Sequence, residues 1–291
     1  MSDDQAHLTF ADGSDSDANW AFGTGFEDPL HGVDTTLADG VDGDVLAAYC
    51  LALGDDALIL AQRLAQWCTL APELEEELAL ANIGLDLLGQ ARLLYARAGQ
   101  ADGSGRTEDD FAYWREAGAF HNVHLAELPN GDFAFSMARL LAFSTWRLAL
   151  FEQLVSSVDL VLAAVASKGV KELAYHRQYA ARWVVRLGDG TDLSHARMWR
   201  ALHEVWPVVG ELFALHTTEE HAAAEGIGVD PRALRGPVEE TLHHVIESAG
   251  LTALPVVAAE AAGRRGHHTA AFGELMAELQ SVARAHPGAT W

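Results

Sequence analysis

Few side chains in the long helical segments of this sequence could hold a metal pair. A di-iron carboxylate centre in a helical bundle takes a Glu from each of two helices and a Glu-x-x-His pair from each of the other two, because residues three apart on a helix face the same point. The only Glu-x-x-His pair is Glu240–His243, on a short late segment. One such pair is about what chance produces, so the motif is weak support for a metal site.

Other positions resemble such a site with its ligands replaced. Asp86 is followed three residues later by Gly89, where a ligand pair would have histidine. Glu172 is followed at the same spacing by Tyr175, and His176 lies one position out of register. Glu152, flanked by Phe151 and Leu154, is the inward candidate on the third long helix. The candidates for a degenerate site are Asp86, Gly89, Glu152, Glu172, Tyr175 and His176. The expectation is that this chain has no metal site, no cofactor site and no catalytic residue of its own.

These residues also have ordinary structural interpretations. Glu172 lies four residues from Lys168 and beside Lys171, so an ion pair would satisfy it. His176 is interpreted as a core histidine before it is interpreted as a ligand. The second long segment carries a polar stripe formed by Asn82, Asp86 and Gln90. Such a stripe is typical of a buried hydrogen-bonded network in a bundle.

Two further groups lie outside the long segments. His121 and His124 precede a Pro-Asn-Gly turn, where a packing or surface role is favoured over ligation. Arg264 and Arg265 form the one basic cluster of an acidic chain. A solvated loop is the default interpretation, and contact with an anionic partner surface or a ligand phosphate is the alternative. On that alternative, replacing both with Ala weakens complex assembly or the docking of a reductase and leaves the fold intact.

The elements that must position these residues are helices. Apolar residues recur with helical spacing from residue 44 onward, and no segment shows strand alternation. The predicted helices span about residues 44–68, 72–98, 108–117, 132–157, 159–187, 192–215 (bent near Pro207), 231–248 and 269–285. Asp132 is the predicted N-cap of the third long helix, and glycine in the Gly-Asp-Gly segment at 188–190 is predicted to end the fourth in a left-handed cap.

The two first long helices differ in pattern. The first has an apolar stripe on one side, with Asp55 on the other; the stripe is Tyr49, Leu53, Ala57, Leu60, Leu64 and Trp67. The second is apolar nearly all round between Leu78 and Tyr95, which predicts burial among several neighbours. Two helical hairpins separated by a long connection predict an all-α fold, a ferritin-like four-helix bundle with additional C-terminal helices, over residues 44–291.

Composition excludes several classes of function. The chain has 42 acidic and 19 basic residues in 291, a net charge of −23, which disfavours nucleic-acid binding and attachment to an anionic membrane surface. Residues 1–45 hold eleven acids and neither Lys nor Arg, so residues 1–43 are interpreted as a flexible acidic extension with no secretory signal. No run of 18 apolar residues predicts a membrane span.

The cysteines point to a reducing compartment. Cys50 and Cys68 fall on one predicted helix. Their spacing along it is roughly 27 Å, far beyond disulfide reach. We expect reduced core residues of a cytoplasmic protein.

Several segments resemble one bacterial family over most of the chain. They are LALGDDALILAQRLAQWCTLAPELEEELALANIGLDLLGQARLLY, LPNGDFAFSMAR, KGVKELAYHRQYAARWVVRLGDGTD, EEHAAAEGIGVDPRALR and the terminal HPGATW. They are similar to the PaaC-type subunit of the phenylacetyl-CoA 1,2-epoxidase of aerobic phenylacetate breakdown. The likeness begins at about residue 45 and leaves the acidic extension outside.

The resemblance implies a non-catalytic structural subunit of a multicomponent monooxygenase. It implies pairing with a PaaA-type catalytic subunit, which holds the di-iron site and epoxidises phenylacetyl-CoA with O2 and electrons from a reductase component. A protein of another class remains open from the residues alone. One alternative is an autonomous di-iron oxidase or iron-binding protein with unusual ligands such as Glu152, Glu172, His176 and Asp86, and another is a homodimeric scaffold unrelated to phenylacetate.

Overall fold

The structure, a computed structural model, describes Leu30 and residues 32–289. These residues form ten α-helices and no β-strand. The helices are α1 (Gly43–Ala65), α2 (Leu74–Ala101), α3 (Glu108–Tyr113), α4 (His124–Glu127), α5 (Phe133–Leu154), α6 (Leu160–Gly188), α7 (Asp192–Val209), α8 (Thr217–Ala224), α9 (Arg235–Ser248) and α10 (Ala270–Ala285). Nearly all of the predicted acidic extension, residues 1–29 and 31, lies outside the described residues.

Two helical hairpins make the bundle. Helices α1 and α2 pack along their length, α5 and α6 do the same, and α2 also contacts α6. Aspartates cap three of these helices, which fixes where each begins: the side chains of Asp42, Asp132 and Asp159 accept hydrogen bonds from first-turn backbone N–H groups. The predicted ferritin-like bundle with additional C-terminal helices is confirmed.

The added helices cover one side of the bundle. Helices α7 and α9 pack on α5, while α4 and α8 pack on α1. Helix α10 contacts α3. As a result α1 and α5 are buried on nearly all sides, whereas α2 and α6 keep an outward face. None of the helices in the described part of the chain has the length and apolar character that crossing a membrane requires.

The α1 stripe is confirmed, but two predictions about burial are wrong. All six stripe residues are buried. Asp55, predicted to lie on the outward side, is buried too. Helices α4 and α8 and the loop that precedes α4 cover that side of α1. Helix α2 is not buried all round: the side chains of Leu74, Leu78 and Leu85 are 65%, 55% and 62% exposed.

The helix boundaries differ in a few places. Helix α2 runs to Ala101, inside the predicted loop, and the short helices α4 and α8 were not predicted. Helix α6 ends without a left-handed glycine, since Asp189 at its C-cap has φ −92°. Pro207 lies within α7, and the last part of the predicted fifth helix is a 3-10 turn at Gly210–Phe213.

The two cysteines lie in different environments. Both are free, as predicted, and Cys50 is buried in α1. Cys68 is exposed in the turn that follows α1, so the prediction of a core position is wrong for this residue.

Candidate functional site

An arginine from α5 lies at the centre of the bundle. The Arg147 side chain is fully buried. Its Nε donates to the Gln90 side-chain oxygen on α2 at 3.0 Å, and a terminal nitrogen donates to the Leu53 carbonyl oxygen on α1 at 3.1 Å. The guanidinium carbon is 4.6 Å from the centroid of the Phe151 ring, a cation–π contact. A cation therefore joins α1, α2 and α5 where a metal pair would have to lie.

Gln90 extends these contacts to α6. Its amide nitrogen donates to Glu172 Oε2 at 3.0 Å, and Glu172 Oε1 is 3.6 Å from Lys168 Nζ. The predicted ion pair of Glu172 with Lys168 is confirmed. Lys171 is exposed and takes no part in this pair.

Close helix packing leaves little free space at this centre. A Cβ atom at Gly169 would lie 2.6 Å from ring carbons of Phe151 and 3.4 Å from the Gln90 amide nitrogen. The absence of a side chain at Gly169 therefore lets α6 approach α5 and α2. The centre is filled by packed side chains.

The other candidates of the degenerate site are spread apart. His176 is buried, and its Nε2 is 2.9 Å from Oδ2 of the half-exposed Asp86. Its Nδ1 atom has no hydrogen-bond partner among the residues that the structure describes. The predicted network of Asp86 with Asn82 and Gln90 is wrong, because Asp86 pairs with His176 and Gln90 with Arg147, while Asn82 is exposed.

Four further candidates do not point into the bundle. Glu152, proposed as the inward residue of its helix, is exposed. Tyr175 is 52% exposed, and a Cβ at Gly89 would meet no atom within 4 Å. Glu240, of the single Glu-x-x-His pair, is exposed on α9. Residues three apart lie on one side of their own helix, as the spacing predicts. The orientation of each helix about its axis, however, turns these positions away from the centre of the bundle.

The donor set at the centre does not suit a di-iron pair. Burial lowers the pKa of Arg147 to about 10, and the guanidinium still stays protonated near neutral pH and has no lone pair to offer a metal. Gln90 provides a neutral amide in place of a carboxylate. Within Leu30 and residues 32–289, no three His, Cys, Asp or Glu side chains are grouped so that they could hold a metal ion.

A second buried polar cluster surrounds Asp55 and Asp56 of α1. Both terminal nitrogens of Arg264 donate to the Asp56 carboxylate at 2.8 Å, and its Nε donates to Glu219 Oε1 at 2.7 Å. Arg115 forms a salt bridge with Asp55 in the same way. Burial opposes the charged form of Arg264, but the carboxylates of Asp56 and Glu219 outweigh it and raise the pKa.

This cluster corrects the interpretation of the basic pair. Arg264 is 5% exposed and belongs to the core of this chain, so it is not available as a surface contact. The reason is that the 3-10 turn at Gly263–Arg265 folds back onto α1. Arg265 lies outside, 3.0 Å from Glu260 Oε2, and its role as a partner contact stays a prediction.

The two loop histidines fasten the same turn. His121 Nδ1 is 3.0 Å from the Arg264 carbonyl oxygen, and His124 Nε2 is 2.7 Å from that of His267. A ring nitrogen that faces a carbonyl oxygen is a donor. The packing role favoured for both histidines agrees with these contacts.

His268 and Glu127 complete the attachment of the C-terminal segment. His268 Nδ1 is 2.7 Å from Glu127 Oε2 and its Nε2 is 2.9 Å from the Phe120 carbonyl oxygen. Both ring nitrogens face acceptors, which favours the doubly protonated ring. Burial alone would lower the pKa of His268, but these two bonds outweigh it and raise the pKa.

Sequence reasoning missed the central arginine and the α1 aspartates. Arg147 had one usable signal, since it is one of two cations in an apolar helix and has Phe143 and Phe151 four residues away on either side. The contact between Asp56 and Arg264 gave no signal in the sequence, because the two residues are 208 positions apart.

Comparison with known proteins identifies the family. A family model described as phenylacetic acid catabolic protein, PaaA_PaaC, matches residues 35–291. The chain belongs to this family. A curated relative, the C subunit of the 1,2-phenylacetyl-CoA epoxidase of Escherichia coli (strain K12), is 44% identical over 246 residues. The alignment covers 84% of this chain and 99% of that protein. The resemblance carried by the sequence segments is confirmed.

Proposed function

We propose that this chain is a structural subunit of a phenylacetyl-CoA epoxidase in aerobic phenylacetate catabolism. In this role it pairs with a PaaA-type catalytic subunit, stabilises and orients it, and contributes no metal ligand or catalytic residue. The di-iron pair belongs to that catalytic subunit, and a reductase component supplies the electrons. The complex works in the cytoplasm.

The position of Arg147 carries this proposal. A guanidinium at the meeting point of the bundle helices repels a second cation and blocks the space that ligands would need. Glu172, the nearest carboxylate of the degenerate site, already accepts from Gln90. The fold is retained while the donor set for iron is not, which separates fold from function in this chain.

The relative from Escherichia coli supports the subunit role. That protein is the C subunit of an epoxidase, and the two chains match over nearly its full length. A subunit must present a surface to other chains, and α2 and α6 present the exposed side of this bundle. Both facts favour a supporting subunit over an autonomous enzyme.

Metal content of the isolated chain tests the proposal. The chain is purified without partners, incubated anaerobically with ferrous iron, desalted and analysed for bound metal. We expect far less than one iron per chain. Near two irons per chain, with the absorption of an oxo-bridged pair, would instead establish the alternative of an autonomous di-iron oxidase or iron-binding protein.

Co-expression tests the partner. We expect the chain to co-elute with a PaaA-type subunit in size-exclusion chromatography, and epoxidation of phenylacetyl-CoA to need both chains and the reductase. Epoxidation by the catalytic subunit and reductase at an unchanged rate without this chain would contradict the supporting role.

A further inference from the structure

Helix α2 displays a row of exposed leucines. Leu74, Leu78, Leu85 and Leu88 are 65%, 55%, 62% and 37% exposed. Their spacing of four, seven and three residues keeps them on one side of the helix. We refer to them as the leucine stripe, which is about 21 Å long at 1.5 Å per residue. A contiguous exposed apolar surface of this kind marks an interaction site more often than a free surface.

Helix α6 carries a different stripe beside it. Lys171, Tyr175, Gln178, Arg182 and Arg186 recur at three or four residues, and we refer to them as the basic stripe. A groove of about 230 Å³ opens along it. The groove is lined by Glu76 from α2 and by Tyr175, Gln178, Tyr179, Arg182, Trp183 and Arg186 from α6. The two stripes together form the α2–α6 face.

The bases of this face lack acidic partners in the part of the chain that the structure describes. Among the residues that the structure describes, five basic side chains have neither a hydrogen bond nor an ion pair: Lys171, Arg177, Arg182, Arg186 and Arg197. Four of these five lie on α6. Acidic residues outnumber basic ones by 42 to 19 in this chain, so a cluster of unpaired bases is not caused by a shortage of carboxylates.

Aromatic rings prepare the groove for a planar or acidic side chain. The guanidinium of Arg186 lies 4.8 Å from the Trp183 ring centroid, which holds its fork in place beside the groove. Tyrosine, tryptophan and arginine are the residues that most often dominate binding energy in protein interfaces. The groove combines all three with an apolar stripe alongside.

We infer that the α2–α6 face docks the catalytic subunit of the complex, with carboxylates of that subunit entering the groove between Arg182 and Arg186 and an apolar helix covering the leucine stripe. This inference rests on the proposed function, which requires a partner of different sequence. Charge complementarity selects that partner: a two-fold pairing of identical chains along the basic stripe would set like charges against one another.

Charge reversal in the groove tests the inference. The double variant Arg182→Glu/Arg186→Glu is compared with Arg106→Glu/Arg232→Glu, which makes the same charge change at two exposed arginines outside the face. Each is co-expressed with the PaaA-type subunit, and affinity is measured with the purified chains. We expect the groove variant to bind at least about tenfold more weakly, with a difference that shrinks at high salt, and the control to bind normally.

A leucine-stripe variant separates charge from apolar contact. Leu78→Ser/Leu85→Ser replaces exposed side chains, so the isolated chain keeps its helical circular dichroism while losing partner affinity. A photo-crosslinking amino acid at position 175 then identifies the chain that covers the groove. We expect crosslinks to the catalytic subunit.

Several outcomes overturn the inference, and they differ from failure of the proposed function. Normal affinity of both face variants, or crosslinks from position 175 only to a second copy of this chain, would show that the partner docks elsewhere while the subunit role stands. Binding of coenzyme A to the isolated chain that is lost in the groove variant, with partner affinity unchanged, would make the groove a ligand site. A wild-type chain that never pairs with the catalytic subunit would remove both proposals.

Discussion

Two buried arginines contact α1, Arg147 at the Leu53 carbonyl oxygen and Arg264 at the Asp56 carboxylate, and their partners differ. Arg264 meets the carboxylates of Asp56 and Glu219, and these raise its pKa despite burial. Arg147 meets an amide oxygen and a carbonyl oxygen, and burial lowers its pKa to about 10. The first arrangement is an ion cluster, one guanidinium between two carboxylates, that attaches the C-terminal segment to the bundle. The second is a cation held by neutral groups, and it fills the position in which a bundle of this kind would hold metal.

The difference shows that burial alone does not determine how much a charged residue contributes to stability. An ion cluster such as that of Arg264 resists the loss of any member, because the remaining charges are left buried with fewer partners of opposite sign. A cation with neutral partners gives back its desolvation cost when it is removed, which offsets part of the lost hydrogen bonding. The two sites therefore predict losses of stability of different size on mutation.

The largest effect is expected for Asp56→Asn. This change keeps the side-chain shape and leaves Arg264 with Glu219 alone in the core, at a cost of about 3 kcal/mol in the free energy of unfolding. Urea unfolding followed by circular dichroism measures it, with Asp109→Asn at an exposed position as the control. A loss of stability no larger than that of the control would contradict the difference expected between the Arg264 and Arg147 sites.

A smaller effect is expected for Arg147→Met. The thioether side chain fills similar space, the Gln90 oxygen loses its donor, and the relief of burying a cation compensates in part, so we expect a loss of about 1 kcal/mol. The same urea experiment applies. Destabilisation as large as that of Asp56→Asn would mean that the central cation holds the bundle together as strongly as the paired cluster does.

The contact between His268 and Glu127, which attaches the C-terminal segment, should make stability depend on pH. The raised pKa of His268 gives stability that is fully present below about pH 6.5 and is lost as pH rises through the folded-state pKa. Burial would raise the pKa of Glu127, but bonds from His268, Thr269 and Asn122 lower it, so its contribution is lost as pH falls below about 4.5. The pair is most effective between these limits.

His268→Gln provides the measurement for this pair. Glutamine keeps a donor and an acceptor but no charge, so the difference in unfolding free energy from the wild type should be largest near pH 5.5 and shrink toward pH 8. Thermal unfolding across this range follows it. A constant difference would mean that His268 acts through packing against Phe272, on which its ring stacks at 4.0 Å.

The smallest effect is expected for Glu172→Gln. Its side chain is partly exposed, its contact with Lys168 is 3.6 Å long, and an amide oxygen can still accept from Gln90. We expect a change within about 0.5 kcal/mol and unaltered turnover of the reconstituted epoxidase. Loss of the chemical step in an intact complex would show that this carboxylate takes part in catalysis.

Local patterns predicted the helices because their causes are local. The α1 stripe from Tyr49 to Trp67 and the cap at Asp132 depend on neighbours along one helix, so spacing and residue type were sufficient. The rotation of each helix about its axis depends on packing with distant segments. Glu152 was therefore placed inside when it is exposed, and Asp55 outside when it is buried.

The leucines of α2 show a second limit of sequence patterns. Apolar residues around a helix predict burial, but the pattern does not say whether the covering surface belongs to the same chain. Leu78 and Leu85 are uncovered within the described residues, and burial in the complex would reconcile pattern with structure. The Asp56–Arg264 contact lay beyond prediction because it joins segments 208 residues apart.

Close packing at Gly169 bears on what an iron site in this bundle would require. A Cβ there would collide with Phe151 and would contact Gln90. The packed helices therefore leave no space for a metal pair at this point. A carboxylate introduced at position 90 alone would pair with Arg147, and removing Arg147 alone would not make ligands. Building an iron site here would therefore require several changes together.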